Sequence, residues 1–132
     1  MQIVVLSFGF RHGLIEADYV FDLRFLPNPF WVPELQPVPG TEPQSADYVL
    51  QQQTTQEFLA LLQPFLTFVC AAWAANGRKE VLRIALGCTG GYHRSVALAE
   101  HLAHWLSSLG YEVSCQHRDL EKNHFQLQET VL

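Results

Sequence analysis

Positive charge is scarce in this chain. Eight Lys and Arg stand against thirteen Asp and Glu in 132 residues, a formal net charge of −5. Without a basic excess there is no long-range pull on a polyanion, which argues against generic nucleic-acid binding. Cysteine is scarce as well. Cys70, Cys88 and Cys115 are an odd number, form no C-x-x-C, and have no Cys/His spacing that suits a structural zinc site. A disulfide framework and a metal centre are therefore not expected, and a reducing cytoplasm is the expected setting. No G-x-x-x-x-G-K-[ST] occurs, so no Walker-type nucleotide site is predicted. No basic stretch precedes the first apolar run, MQIVVLSFGFRHG, which reads as a strand and not as a signal peptide.

Apolar residues make up 48% of the chain and charged residues 16%, the balance of a folded globular domain. The length suits one domain over residues 1–132. Charge is missing altogether from residues 58–75, a run just long enough to cross a bilayer. Gln63, Pro64 and Thr67 interrupt it, and the segments on either side look like parts of one sheet. A buried helix or a helical subunit interface is expected there, with no membrane and with a homo-oligomer as the natural consequence.

Short apolar runs at residues 2–7, 17–23, 81–86 and 111–117 read as four strands. Helices are predicted over residues 45–52, 54–75 and 94–109. The long middle one opens on Thr54-Thr55-Gln56-Glu57, which fits a capping box, ends at Asn76-Gly77, and should kink at Pro64. Six of the seven prolines lie within residues 25–43. Phe25, Leu26, Phe30, Trp31, Val32 and Leu35 in the same stretch are apolar, so it reads as an ordered loop that walls a site. The alternation implies an α/β class: a mostly parallel four-stranded sheet flanked by helices, with ligands bound beyond the carboxyl ends of the strands.

The polar residues of interest fall at those ends. Between the third strand and the next helix stands Gly87-Cys88-Thr89-Gly90-Gly91-Tyr92-His93-Arg94-Ser95. Glycines let the backbone curl, the helix start offers unpaired N–H groups, Arg94 offers a fork, and Thr89 and Ser95 offer hydroxyls. His93 would add charge when protonated. Together these fit a phosphate-binding loop. The same residues satisfy C-x5-R-[ST], which resembles the signature of the cysteine-dependent phosphatases. In that alternative Cys88 is the nucleophile, Arg94 the clamp, and Asp22 or Asp119 the acid. Gly87, where that family has His, departs from the pattern. Asp22 and Arg24, with Asn28 close behind, read equally as a local ion pair at a strand end or as a second polar group suited to a ligand's hydroxyls or amine. His117 and Arg118 reach the same edge from the fourth strand. His101 and His104 lack a third ligand and read as surface residues.

Four segments taken in order, Ser7-Phe8-Gly9-Phe10, Phe21 to Pro29, Gly87 to Val96 and His117 to Lys122, resemble the C-terminal domain of the RapZ/YvcJ family of RNase adapter proteins. The resemblance implies a sugar-phosphate-binding domain similar to one half of phosphofructokinase. It implies that glucosamine-6-phosphate or a related amino-sugar phosphate is held by Cys88, Thr89, Gly90, Gly91, His93 and Arg94, with Asp22 and Arg24 facing the sugar. Ser7, Gly9, Asn28, Ser95, His117 and Arg118 complete the candidate set. The implied role is a metabolite sensor or regulatory adapter without a cofactor. It would self-associate and meet a regulatory protein, a separate P-loop chain or a small RNA. After Lys122 no cation follows and Glu129 adds a negative charge, which argues against RNA. Phe30 stands where the family commonly has His or Tyr.

Overall fold

A computed structural model describes residues 1–123. Four strands form one parallel sheet in the order β2-β3-β1-β4, with β1 at Gln2–Gly9, β2 at Tyr19–Asp22, β3 at Val81–Cys88 and β4 at Glu112–His117. Three helices connect them: α1 at Pro43–Leu50, α2 at Gln53–Asn76 and α3 at Arg94–Ser108. The expected α/β class is the observed one.

The register explains where the helices go. Val5 pairs with Ile84 and Cys115, and Tyr19 with Ile84, so these residues share one face. That face meets the helices: Tyr19 and Phe21 pack edge-on against Phe65 of α2, and His117 contacts Glu100 of α3. Ile3, Val5, Leu82, Ile84 and Leu86 bury there with Leu66, Leu98, Leu102 and Leu106. The opposite parity carries Val4, Leu6, Val20, Arg83, Ser114 and Gln116, none of them fully buried, together with Phe8 and Ala85, which are buried. The helices therefore gather on one side of the sheet.

α2 buries a stripe of Leu59, Leu62, Leu66, Val69 and Cys70, at the three- and four-residue spacing of one helix face. Leu61 and Phe68 on the other face are exposed. The charge-free run thus lies on the sheet as an amphipathic crossover between the adjacent parallel strands β2 and β3, although it is long and apolar enough to cross a membrane by length and composition. It continues as helix through Pro64. The capping box does not form. Gln52 is the N-cap, without a side-chain bond, and Glu57 is taken by Gln53 one turn before it. The far end behaves as expected, with Gly77 left-handed at φ 73° and its N–H on the Trp73 carbonyl.

Pro43 opens α1 two residues ahead of the expected start, at a first-turn position where its missing N–H costs nothing. Strand β2 is shorter than expected and begins at Tyr19. The tail after Lys122, read as poor in positive charge, lies, apart from Asn123, outside the described residues.

In-register pairing brings Gly9 beside Cys88, Asp22 beside Gly87 and Ser7 beside His117, which aligns the carboxyl ends at one edge. Backbones touch there. A Cβ on Gly9 would stand 2.3 Å from the Gly90 carbonyl carbon, and Gly91, at φ +72°, would press its own on the Gly9 nitrogen at 2.6 Å. Gly9→Ala is therefore expected to lower stability by about 1–3 kcal/mol, measured by urea unfolding. An unchanged midpoint would mean that the two loops do not pack as described.

Candidate functional site

The segment from Thr89 to His93 leaves β3 and delivers the chain to α3. Arg94, the first helical residue, is almost wholly buried, at 4% exposure. Its Nη1 donates to the carbonyls of Arg24, at 2.9 Å, and Leu26, at 3.1 Å, and its Nη2 leans on Thr89 Oγ1 at 3.4 Å. Its Nε is buried with no hydrogen-bond partner among the described residues. Burial works against the charge of this guanidinium, while Cys88 and Asp22 nearby partly offset that effect.

Opposite lies the proline-rich stretch. His93 Nε2 sits 3.0 Å from the carbonyls of both Leu35 and Gln36, and the Tyr92 hydroxyl donates to the Pro37 carbonyl. The Gly40 N–H donates to the Tyr92 carbonyl at 2.8 Å. The stretch is thus pinned to the loop as a wall, the role its apolar composition predicts. Since carbonyls only accept, His93 Nε2 carries the proton, and burial lowers the pKa of the ring. In this structure His93 serves as a donor that fastens the wall, and burial works against the charged form of its ring.

Between loop and wall opens a cleft of about 260 Å³. Arg11, Asn28, Phe30, Trp31, Thr89 and Arg94 line it, with Cys88, Gly90, Tyr92, His93 and Asn123. Two guanidinium groups and no carboxylate face it among the described residues. The N–H groups of Gly90 and Arg94 meet no acceptor among those residues. Asn28 Oδ1 is occupied in capping the short turn at Pro29–Trp31, which leaves the amide nitrogen to offer.

Other expected site residues take supporting places. Asp22 and Arg24 bind each other at 2.6 Å, half-exposed, with the guanidinium over the Phe10 ring. This is a local ion pair beside the cleft, and it does not line it. Gly9 and Gly91 pack backbone on backbone beneath the loop. Ser95 donates to Cys88 Sγ from its N–H, at 3.4 Å, and its hydroxyl lies 3.1 Å from the sulfur. Ser7 and His117 contact each other on the α3 side and stand apart from the cleft. Arg118 ties down the stretch after β1 through the Gly13 and Leu14 carbonyls. It also pairs with Asp119, which is completely buried and accepts from the Gly9 N–H and from Lys122.

These contacts bear on the two proposed acids. Arg118, Lys122 and the Gly9 N–H outweigh burial and hold Asp119 at a pKa of about 2. Asp22 is likewise lowered, chiefly by its bond to Arg24. Both carboxyls are ionised at neutral pH, so neither has a proton to give a leaving group.

Arg11, Tyr92 and Asn123 are lining residues that the sequence did not single out, while Phe30 and Trp31 belong to the expected wall. Arg11 stood in plain view in Phe8-Gly9-Phe10-Arg11-His12-Gly13, at the carboxyl end of β1. Asn123 had no motif around it; it reaches the cleft by bonding the Gly90 carbonyl and the Arg11 guanidinium, at 3.1 and 2.6 Å.

The family described as the RapZ C-terminal domain matches residues 1–121. Among curated proteins, a nucleotide-binding protein of Symbiobacterium thermophilum is 50% identical over 119 residues, 89% of this chain and 39% of that protein. One from Anaeromyxobacter sp. (strain K) is 51% identical over 123 residues, 92% of this chain and 42% of its own length. One from Nocardioides sp. is 46% identical over 121 residues, covering 91% and 40%. The chain thus spans about two fifths of the length of these relatives.

A carboxylate whose pKa falls on folding stabilises the fold above its unfolded pKa, near 4, and that contribution fades as the pH drops toward 2. Asp119→Asn is expected to cost about 3–5 kcal/mol at pH 7, because Arg118 and Lys122 lose their partner. It should also flatten the acid loss of stability between about pH 4 and pH 2. Thermal unfolding across that range checks both; an unchanged slope would place the acid sensitivity elsewhere.

Proposed function

We propose, from the premise that the chain belongs to the RapZ C-terminal domain family, that it is a regulatory domain that binds a phosphorylated sugar in the cleft between the Thr89–Arg94 segment and the proline-rich wall. The observation that carries this reading is the buried Arg94 guanidinium in the lining of a cleft that has no facing carboxylate among the described residues. A buried cation in such a place is best satisfied by an anion entering from the cleft. The Gly90 and Arg94 N–H groups at the start of α3, the Thr89 hydroxyl and Arg11 supply further donors for phosphoryl oxygens.

The remainder of the wall suits a sugar. Asn28 offers an amide nitrogen to hydroxyls, Asn123 holds Arg11 in place, and Phe30, Trp31 and Tyr92 offer rings to the apolar face of a pyranose. With no carboxylate at hand, an amino group on the sugar would find its partner in those rings. A cleft of about 260 Å³ suits a ligand of hexose-phosphate size, and glucosamine-6-phosphate is the ligand proposed. The relatives are named nucleotide-binding proteins, but this sequence has no Walker-type loop, and a nucleotide is not proposed for it.

The neighbourhood of Cys88 favours one rival. Its sulfur lies at the start of α3 against the Ser95 N–H and hydroxyl, as a nucleophile would. The ionised state of Asp22 and Asp119 argues for binding without hydrolysis.

Calorimetric titration with glucosamine-6-phosphate, N-acetylglucosamine-6-phosphate, fructose-6-phosphate and inorganic phosphate tests the reading, with released phosphate assayed in the same samples. One sugar phosphate should bind saturably with no phosphate release. Arg11→Gln, at an exposed residue, should weaken it about 3- to 10-fold with unchanged stability. Cys88-dependent phosphate release would make the chain a phosphatase. Absence of both binding and release would overturn the ligand assignment.

A further inference from the structure

The sequence offers no zinc motif, but folding joins three side chains that sequence spacing keeps apart. Cys115 and His117 are two residues apart on β4, so both point to the helix side of the sheet. Glu100 comes down to them from α3. His117 Nε2 lies 2.7 Å from Glu100 Oε1 and 3.8 Å from Cys115 Sγ. All three donor atoms fall within 4.8 Å of one another. None of the three residues lines the sugar-phosphate cleft.

We propose that Glu100, Cys115 and His117 form a site for a divalent transition-metal ion of the zinc type. Carboxylate, thiolate and imidazole are a borderline-soft donor set that suits zinc better than magnesium or calcium. In a tetrahedral zinc site, bond lengths of about 2.3 Å to sulfur and 2.0–2.1 Å to nitrogen put those two atoms about 3.6 Å apart. The observed 3.8 Å is close to that. The nitrogen-to-oxygen separation would need to widen to about 3.3 Å. Glu100, with its side chain 51% exposed, is free to make that move, whereas His117 is 12% exposed and held.

What holds His117 is Ser7, completely buried, whose Oγ lies 2.6 Å from Nδ1. Against the Glu100 carboxylate, which only accepts, Nε2 carries a proton. When that proton leaves and Nδ1–H donates to Ser7 Oγ, the Nε2 lone pair is free to face an ion between Cys115 and Glu100. Fixing the second ring nitrogen in this way is how proteins orient a metal-binding histidine. The fourth position faces solvent past Glu100, so the site would keep an open place for water. Burial and the Glu100 charge favour the protonated Cys115 thiol. The incoming ion would take the place of that proton.

Ser7, His117 and Glu100 also stand in the order of a hydrolase triad, but inside out. The serine is sealed in the sheet and the acid is exposed, so no substrate reaches Ser7 Oγ and the row is not hydrolytic.

Cobalt(II) added to the full chain tests the site. One equivalent should give intense tetrahedral ligand-field bands and a thiolate-to-cobalt charge-transfer band, both bleached by zinc(II). Cys115→Ser should abolish the charge-transfer band. Glu100→Gln should weaken cobalt binding at least 10-fold, and Ser7→Ala about 10- to 100-fold. The double variant His101→Ala/His104→Ala should bind as the wild type does. A charge-transfer band that is missing from the wild type or survives Cys115→Ser overturns the proposal. So does an affinity unchanged in Glu100→Gln, a surface substitution that keeps the test valid if Cys115→Ser fails to fold.

Discussion

A positive charge buried at the start of a helix governs how this domain is put together. Arg94 cannot shed its charge, and almost none of its surface reaches water. Two backbone carbonyls just after β2 take one of its nitrogens. One side chain therefore ties the segment after β2 to the start of α3, and its Nε stays buried without a hydrogen-bond partner among the described residues. The proline-rich wall completes the enclosure through carbonyls that receive His93 and Tyr92. Prolines suit that task, since a segment that serves only as acceptor does not miss their N–H groups.

A second buried charge, Asp119, does the matching work on the other side of the loop. It gathers Arg118, Lys122 and the Gly9 N–H, so the end of β1, the end of β4 and the turn at Leu120–Lys122 share one anchor. Between the two anchors the Gly9, Gly90 and Gly91 backbones are in contact, leaving little freedom for the loop. The donors at Gly90 and Arg94 are thus held in place before any ligand arrives. The same anchors explain why hydrolysis is the weaker reading: the carboxyls near the loop are spent as ionised structural acceptors.

Much of this was legible in the sequence. Strand and helix order, and the convergence of loops at one sheet edge, followed from hydrophobic periodicity and from strands alternating with helices. Cys88, Thr89 and Arg94 were readable as cleft residues because a glycine-bearing strand-to-helix turn has few other uses. What the sequence left open had a common cause, since spacing does not say which partner a polar side chain finds. Asp22 and Arg24 found each other, Arg118 found Asp119 and two carbonyls, and Glu57 answered Gln53 instead of a capping threonine. No Cys/His spacing suggested a zinc site because Glu100 lies on another element, brought near Cys115 and His117 only by the packing of α3 on β4.

The central claim is that the loop's backbone donors hold a phosphoryl group. Backbone amide NMR spectra of the domain titrated with glucosamine-6-phosphate, and separately with unphosphorylated glucosamine, test it most directly. The account predicts saturable shifts concentrated at Thr89, Gly90 and Arg94, with the Trp31 indole responding as well, and only for the phosphorylated sugar. Equal responses to both sugars, or shifts centred away from the cleft, would contradict it.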